Sequence, residues 1–370
     1  MKLGVKCTSL DIVTKADVYW MQKKSKIFVA FLAKNVTQGY MKILVTGGGG
    51  FLGRYVVKKL LARGYTVRVL GRSEQPDLKE AGVDVIQGDI RDATIVRAAA
   101  RGVDVIQHIA AKAGVWGSWE DYHQTNVIGT RNVLHACKEL GTQRLIYTST
   151  PSVVFNGEAL QGVDESQPYG KNWLCHYAHT KRIAEEEVLA ANDPDGSGLR
   201  TIALRPHLIW GVGDNHLIPR VIERARAGKL RIVGDGTNKV DIVHVENAAD
   251  AQIRAQVALE RQEGCGRAYF ISQGEPVVLW NWINDLLKRL GIPQIEKQIS
   301  LSSAYRVGAV MESLWKTFRL KGEPPMTRFV ATELAKDHYF DIRAAKQNLG
   351  YQPTVTTEEG LQELVAHLKG

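Results

Sequence analysis

Tyr177 and Lys181 stand four residues apart in His176-Tyr177-Ala178-His179-Thr180-Lys181. On a helix that spacing puts both side chains on one face. A phenol loses its proton near pH ~10, and a neighbouring ammonium favours the phenolate and lowers that value. Such a tyrosine can pass a proton to or from a substrate oxygen near neutral pH. Spacing alone does not single the pair out, because Tyr19/Lys23 and Tyr55/Lys59 repeat it. His176 and His179 flank the tyrosine, but neighbours one or two residues away do not share a helical face. They are expected to shape the structure or the substrate rim. His244 alternates with its neighbours as in a half-buried strand and is expected to be structural.

The elements upstream separate Tyr177 from its two decoys. Lys42–Thr46 reads as a short buried strand, followed by Gly47-Gly48-Gly49-Gly50-Phe51-Leu52-Gly53. Helical periodicity follows over 55–61, closed by Gly64, and 66–70 reads as the next strand. In such a βαβ unit the first turn is where a pyrophosphate meets a helix N-terminus. Gly47, Gly50 and Gly53 follow G-x-x-G-x-x-G, a pattern that lets backbone approach phosphates with no side chain intervening. Cofactor contact is therefore expected at Gly47, Gly50, Phe51, Leu52 and Gly53. Tyr55/Lys59 lies behind this loop as scaffold, and Tyr19/Lys23 lies outside any recognisable unit.

The second strand ends in Leu70-Gly71-Arg72-Ser73. An acid at that tip would hold the ribose 2′-hydroxyl of NAD, whereas an arginine accommodates the 2′-phosphate of NADP. With glycine in place of the acid, Arg72 favours NADP, with NAD as the alternative. The third and fourth strands are expected at 83–86 and 103–106.

Composition narrows the class. The chain has 370 residues, 44% hydrophobic and 24% charged, as an ordinary globular protein of one large domain or two lobes does. Roughly five of its nine net positive charges lie in residues 1–40. The remainder shows no basic stripe interleaved with aromatics, so no nucleic-acid partner is expected. Cys7, Cys137, Cys175 and Cys265 are scattered, which fits reduced thiols in a cytoplasmic protein and predicts no metal site. No apolar run approaches the ~18 residues of a membrane span. Met41 immediately precedes the first strand, so residues 1–40 are expected to be a poorly ordered or non-native extension.

Several motifs occur in an order that resembles the extended short-chain dehydrogenase/reductase superfamily. They are the 46–53 turn, Gly88-Asp89, His108-Ile109-Ala110-Ala111, Asn126-Val127-Ile128-Gly129-Thr130, Tyr147-Thr148-Ser149-Thr150, Tyr177 to Lys181, and Leu204-Arg205-Pro206. The resemblance implies that Asp89 and Ile90 lie beside the adenine. Ala110, Ala111 and Pro206 would follow the cofactor, and Asn126 would support the active-site helix and its proton relay. It also implies a hydroxyl residue after the fifth strand, most naturally Thr150 with Ser149 as the fallback. Tyr177 would exchange the proton, Thr150 would polarise the substrate oxygen, and Lys181 would tune Tyr177 and hold the nicotinamide ribose.

Within the superfamily, Trp173 to Lys181, Arg205 to Gly211, Gly213 to His216 and Pro324 to Phe329 are similar to the 3β-hydroxysteroid dehydrogenase branch. That branch includes sterol-4-carboxylate dehydrogenases and bacterial 2-alkyl-3-oxoalkanoate reductases. The implied fold is α/β, a Rossmann-type doubly wound parallel sheet with a smaller C-terminal substrate-binding lobe. The expected division is a nucleotide-binding domain over 41–205, rejoined by 236–262, and a substrate lobe from 206–235 and 263–370. The expected activity is NADP-dependent reduction of the 3-oxo group of a long-chain 2-alkyl-3-oxo acid. Its rivals are oxidation of a sterol-like 3β-alcohol, a sugar-nucleotide epimerase or dehydratase, and a non-catalytic cofactor sensor. The complete Thr150, Tyr177 and Lys181 set argues against the sensor.

His207, just past Arg205-Pro206, is placed to reach a substrate carboxylate or the cofactor. Trp116, with Trp119 and Tyr122, is a candidate for lining an apolar pocket for a lipid-like substrate. Over 301–320, Ala304, Val307, Val310, Met311, Leu314, Trp315 and Phe318 form a helical stripe expected to pack over the pocket mouth. The sharper alternative for this stripe is a membrane-surface or partner contact, including a multienzyme association. A homodimer is a family expectation.

Overall fold

The computed structural model describes residues 41–195 and 197–370. The expectations for the leader, Tyr19/Lys23 and Cys7 lie outside these residues. Seven strands form one parallel sheet: β1 (Lys42–Thr46), β2 (Thr66–Gly71), β3 (Asp84–Gln87), β4 (Val105–His108), β5 (Arg144–Thr148), β6 (Arg200–Pro206) and β7 (Arg267–Ile271). Their spatial order is β7-β6-β5-β4-β1-β2-β3. Chain direction across the sheet reverses between β1 and β4, and that switch point is where such sheets open a ligand crevice.

Alternate residues along each strand enter opposite layers, as the two-residue period of a strand requires. Ile43 and Val45 pack with Val56, Val57 and Leu60 of the helix Phe51–Ala62, and with the helix Val245–Glu260. Leu44, Ile106 and Leu145 pack on the other face with Val96, Val133, Ala136, Ala184 and Val188. Those five come from the helices Ala93–Ala100, Gly129–Leu140 and His176–Ala190. Covered on both sides, β4 and β6 are buried along their whole length, their polar residues Gln107, His108, Thr201 and Arg205 included.

A second core gathers Trp210, Trp280, Trp282, Ile283, Leu286, Leu287, Leu361 and Leu364. Beside it lies a four-stranded sheet of Val277–Val278, Lys239–Val240, His338–Phe340 and Leu160–Val163. The expected lobe boundary needs three corrections, the first being that Leu160–Val163, expected in the nucleotide-binding domain, pairs with His338–Phe340 in the small sheet. Arg267–Ile271 belongs to the large sheet as a parallel neighbour of β6, and Lys239–Val240 belongs to the small one. Short apolar runs fit either sheet, and only the tertiary pairing decides between them.

The stripe on Leu301–Phe318 also differs from expectation. This helix buries Ala304, Gly308 and Glu312 and leaves Val307, Val310, Leu314 and Phe318 exposed. A Cβ on Gly308 would stand 2.7 Å from the Thr327 carbonyl carbon. Close backbone approach therefore selected the small-residue face for packing.

Candidate active site

The glycine turn after β1 lies against the turn after β4. Gly47 adopts φ +71°, and a Cβ there would stand 2.9 Å from Ala110 N and Cα. On Gly53 a Cβ would overlap the Gly47 carbonyl oxygen and lie 2.7 Å from Gly48 Cα. Phe51–Ala62 then starts with no side-chain cap at Gly50 and no acid in its first turn. Free amides and the positive end of the helix dipole make that start suited to a phosphate. The cradle fits a dinucleotide, with Phe51 and Leu52 in its first helical turn.

The tip of β2 is open. Arg72 is exposed, and a side chain at Gly71 would meet nothing within 4 Å. Packing therefore does not require glycine at 71, and the space beside Arg72 is free. The Asp89 carboxylate is bound by Arg91 Nη2 at 2.8 Å and by its amide at 2.9 Å. Arg91 holds the Asp89 carboxyl below its ordinary range, and Arg72 adds to this from further away. Ile90 is buried, with its carbonyl accepting from Asn132. Ala110 donates its amide to the Thr46 carbonyl at 3.1 Å, and Ala111 is exposed at the crevice. Pro206 ends β6, buried and paired in register with Ile271.

Tyr177 lies in the first turn of the helix His176–Ala190, and the Thr150 hydroxyl, which donates to Ser152 Oγ at 3.2 Å, lies close enough to the phenol to favour its ionised form. Burial pushes the phenol up to about 12; the Thr150 hydroxyl pulls it down, and the nearby Cys175 thiol pushes it up. The expected lowering by Lys181 is thus corrected. The Lys181 ammonium donates 2.6 Å to the Thr148 carbonyl oxygen and lies 4.1 Å from the Tyr147 ring centre. Burial drops Lys181 to about 7, against an upward pull from Glu185. Helical spacing brought the two Cα atoms to one face, but the lysine's long stem carried its charge to the strand end. Of the two hydroxyls left open, Thr150 meets Tyr177, whereas Ser149 Oγ is buried without a partner and its amide bonds Leu204 O.

Asn126 occupies a π-helical turn, His123–Ile128, a distortion common at functional sites. Its Oδ1 accepts from Lys112 N at 2.7 Å, and its Nδ2 donates to Lys112 O and to Thr180 Oγ1, each at 3.1 Å. The asparagine therefore ties the loop after β4 to the Tyr177 helix. Its own carbonyl accepts from Thr130 Oγ1, which meets His108 Nε2 at 3.0 Å; His108 Nδ1 meets Thr46 Oγ1 at 2.7 Å. Burial, with Lys181 nearby, drops His108 to about 3, so this linking ring is neutral. Sequence reading missed His108 as a connector. The only sequence signal was a polar residue closing an apolar strand.

Glu185 was also missed. It is fully buried, one turn after Lys181, and receives Arg205 Nη2 at 2.5 Å and the Tyr169 hydroxyl at 2.8 Å. The i, i+4 spacing from Lys181 was the available signal.

Two substrate candidates fall elsewhere. His207 Nε2 lies 2.6 Å from His338 Nδ1, so this ring nitrogen already has a partner within the protein. Burial first, and then His338, hold His207 well below its ordinary value, which leaves it uncharged. His207, Glu333 and His338 come close enough to suggest a metal. However, Glu333 faces His338 Nε2 while His207 faces Nδ1 of the same ring. Ligands on opposite ring nitrogens make a hydrogen-bonded chain, not a coordination bowl. Trp116 contributes its carbonyl, which accepts from the Tyr122 hydroxyl at 3.2 Å; the Tyr122 ring is 6.5 Å from that of Tyr177. His179 stacks on Trp173 at 5.2 Å and His176 meets the edge of Trp119 at 5.7 Å, both as a rim.

Residues 44–302 match the 3-beta hydroxysteroid dehydrogenase/isomerase family. The chain is 51% identical over 331 residues to a 2-alkyl-3-oxoalkanoate reductase of Stenotrophomonas maltophilia (strain K279a), covering 88% of this chain and 99% of that one. It is 32% identical over 352 residues to the mouse sterol-4-alpha-carboxylate 3-dehydrogenase, decarboxylating, covering 94% and 96%. Among solved structures, it resembles a dTDP-glucose 4,6-dehydratase from Streptomyces venezuelae holding NAD. That match has TM-score 0.69 and 25% identity over 89% of this chain and 97% of that one. A phosphate cradle beside a tyrosine–threonine pair and these full-length likenesses converge: the chain belongs to the 3-beta hydroxysteroid dehydrogenase/isomerase family and is an NAD(P)-dependent oxidoreductase.

Proposed function

We propose that this enzyme reduces the 3-oxo group of a long-chain 2-alkyl-3-oxo acid to the 3-hydroxy acid, using NADPH. The observation that carries the reading is the full-length likeness to reductases of 2-alkyl-3-oxoalkanoates. The phenol supports the same direction. Held up to about 12, Tyr177 is protonated at neutral pH, which is the form that ketone reduction consumes. Arg72, beside the open side of Gly71, supports NADPH over NADH.

The residues divide the work as follows. Gly47, Gly50, Gly53 and the first turn from Phe51 hold the pyrophosphate, and Asp89, Ile90, Ala110, Ala111 and Pro206 border the rest of the dinucleotide. When bound, the nicotinamide supplies the hydride for the carbonyl carbon. Thr150 Oγ1 hydrogen-bonds the substrate oxygen, and Tyr177 Oη delivers its proton there. Lys181 holds the nicotinamide ribose, and Asn126 keeps the loop after β4 in register with the Tyr177 helix. Residues 206–235 and those after β7, apart from the exposed face of the helix Leu301–Phe318, supply the wall for the acyl chains, behind the Trp119, Trp173 and His179 rim.

Oxidation of NADPH and NADH is followed with a 2-alkyl-3-oxo acid and a 3-ketosteroid in parallel. Turnover of the keto acid, faster with NADPH, is expected. Turnover of the steroid alone would assign the chain to sterol chemistry, the activity named for the mouse relative. In the same assay Tyr177→Phe should lose about two to four orders of magnitude while still binding NADPH.

A further inference from the structure

Seven large apolar side chains are exposed among the described residues, and six lie between Tyr305 and Leu320. Val307, Val310, Leu314 and Phe318 follow one another at three- and four-residue steps, a single stripe of the helix Leu301–Phe318. Val310 is 60% exposed and Phe318 67%. The stripe is not left over from poor packing, because the helix is anchored through its other face. Gly308 abuts the Thr327–Arg328 backbone, and Glu312 accepts from Arg328 N and Nε, both at 2.7 Å.

Charge around the stripe has one sign. Arg306, Lys316, Arg319 and Lys321 are all exposed. Both acids of the segment are already matched, Glu312 to Arg328 and Glu323 to Arg220. The segment also stands at the mouth of the site. Lys316 is near enough to help depress His176, next to Tyr177, and Glu323 Oε1 lies 2.8 Å from where a Cβ of Gly114 would be.

We propose that this face docks the enzyme on an anionic lipid surface. An apolar stripe edged by unneutralised lysine and arginine is the pattern of a helix lying in a membrane interface. A second copy is a poorer occupant. A two-fold contact would set the same four cations of each chain against each other. Docked in this way, the rim beside Tyr177 faces the bilayer from which a long-chain substrate would enter. That purpose rests on the reductase reading, whereas the docking does not.

The test is flotation of the full chain with unilamellar vesicles. One set contains equal parts phosphatidylglycerol and phosphatidylethanolamine; the other is phosphatidylcholine alone. Wild type should float with the anionic set, less at high salt, and poorly with the neutral set. Val310→Glu with Phe318→Glu, and separately Lys316→Glu with Arg319→Glu and Lys321→Glu, should each weaken partitioning by about ten-fold or more. Val310→Ser serves if the double variant does not fold. The proposal is overturned by wild type that stays unbound, by equal binding to both vesicle sets, or by variants that bind like wild type. A dimer in sedimentation that the Val310/Phe318 substitutions dissociate would also overturn it, by placing a second copy on the stripe. Turnover of a short-chain, water-soluble 3-oxo acid reads the reductase assignment separately. It should persist in the Val310/Phe318 variant whatever the vesicles report.

Discussion

The Lys181 ammonium is bonded to the Thr148 carbonyl oxygen, 2.6 Å away at the end of β5. Its charge is thus tethered to the sheet, with Tyr147 beneath it, while the polar influence on the Tyr177 phenol comes from the Thr150 hydroxyl. The phenol and the ammonium have separate anchors, and each titrates for its own reason. Burial raises the acid and lowers the base, so both sit in their neutral forms more readily than in water.

This arrangement makes cofactor binding depend on pH. Lys181 falls to about 7, so the ammonium that would meet the ribose hydroxyls is fully present only below that value. NADPH affinity should weaken as pH rises from 7 to 9, by at most about ten-fold per unit, with uptake of up to one proton. Stability of the cofactor-free chain should slope the other way. Its folded lysine binds fewer protons than the unfolded one between pH 7 and ~10, so this group's contribution rises with pH over that window. Titration calorimetry in buffers of different ionisation enthalpy checks the first slope, and urea unfolding checks the second. Lys181→Met should flatten both, and slopes unchanged by it would place the titration elsewhere.

Glu185 should matter twice. It shares a buried ion pair with Arg205, whose guanidinium lies 5.1 Å from the Phe270 ring centre, and it pulls Lys181 upward. Breaking one partner of such a pair leaves an uncompensated buried charge, at a cost of about 3–5 kcal/mol. Glu185→Gln should lose roughly that much in urea unfolding. It should also move the midpoint of the pH-dependent NADPH affinity below 7, because the upward pull on Lys181 is gone. A purely structural glutamate would produce the first effect without the second.

The glycine turn makes a sharper demand. Gly53→Ala would drive its methyl into the Gly47 carbonyl, on the backbone that holds the pyrophosphate. Loss of NADPH binding by two orders of magnitude or more is expected, roughly the ~3 kcal/mol that a distorted cradle would cost. Gly64→Ala, where a Cβ would meet nothing within 4 Å, serves as the comparison. Gly64 adopts φ +79°, so it should cost about 1 kcal/mol of stability with binding retained. Fluorescence titration with NADPH separates the two.

What was legible in the sequence follows from how local each constraint is. Gly50 and Gly53 could be read because the demand on them is made by backbone within seven residues, and Gly47, which meets the distant Ala110, because it opens the same spaced pattern. The Tyr177 position could be read because it sits in a fixed order of motifs. Interactions spanning much longer stretches of chain were hidden. His207 meets His338 across 131 residues, and Lys181 reaches Thr148 across 33. Periodicity located the helix Leu301–Phe318 but misjudged its buried face, because Gly308 lets Thr327 approach more closely than the valines do. Hydrophobicity says which side chains would gain from burial. Which face is buried depends on what shape the neighbouring element presents.

Arg72 tests the choice of nicotinamide cofactor. It is exposed at the tip of β2, the space beside Gly71 is open, and its charge reaches Asp89. A 2′-phosphate there would take a charge-assisted hydrogen bond from the guanidinium, worth about 1.5–3 kcal/mol. Arg72→Ala should therefore weaken NADPH by about ten- to a hundred-fold and leave NADH within about two-fold. Gly71→Asp should do the reverse. Its carboxylate would repel the phosphate and accept from the ribose hydroxyls, improving NADH relative to NADPH. Affinities for both cofactors across the two variants decide the matter. Equal weakening of NADPH and NADH by Arg72→Ala would return that guanidinium to a role in solvent, and the preference would have to come from Arg54. That residue sits one position past Gly53 and is held by Asp77, Gln75 and the Gly49 carbonyl. Because those partners already occupy its donors, Arg72 is the side chain free to read the phosphate.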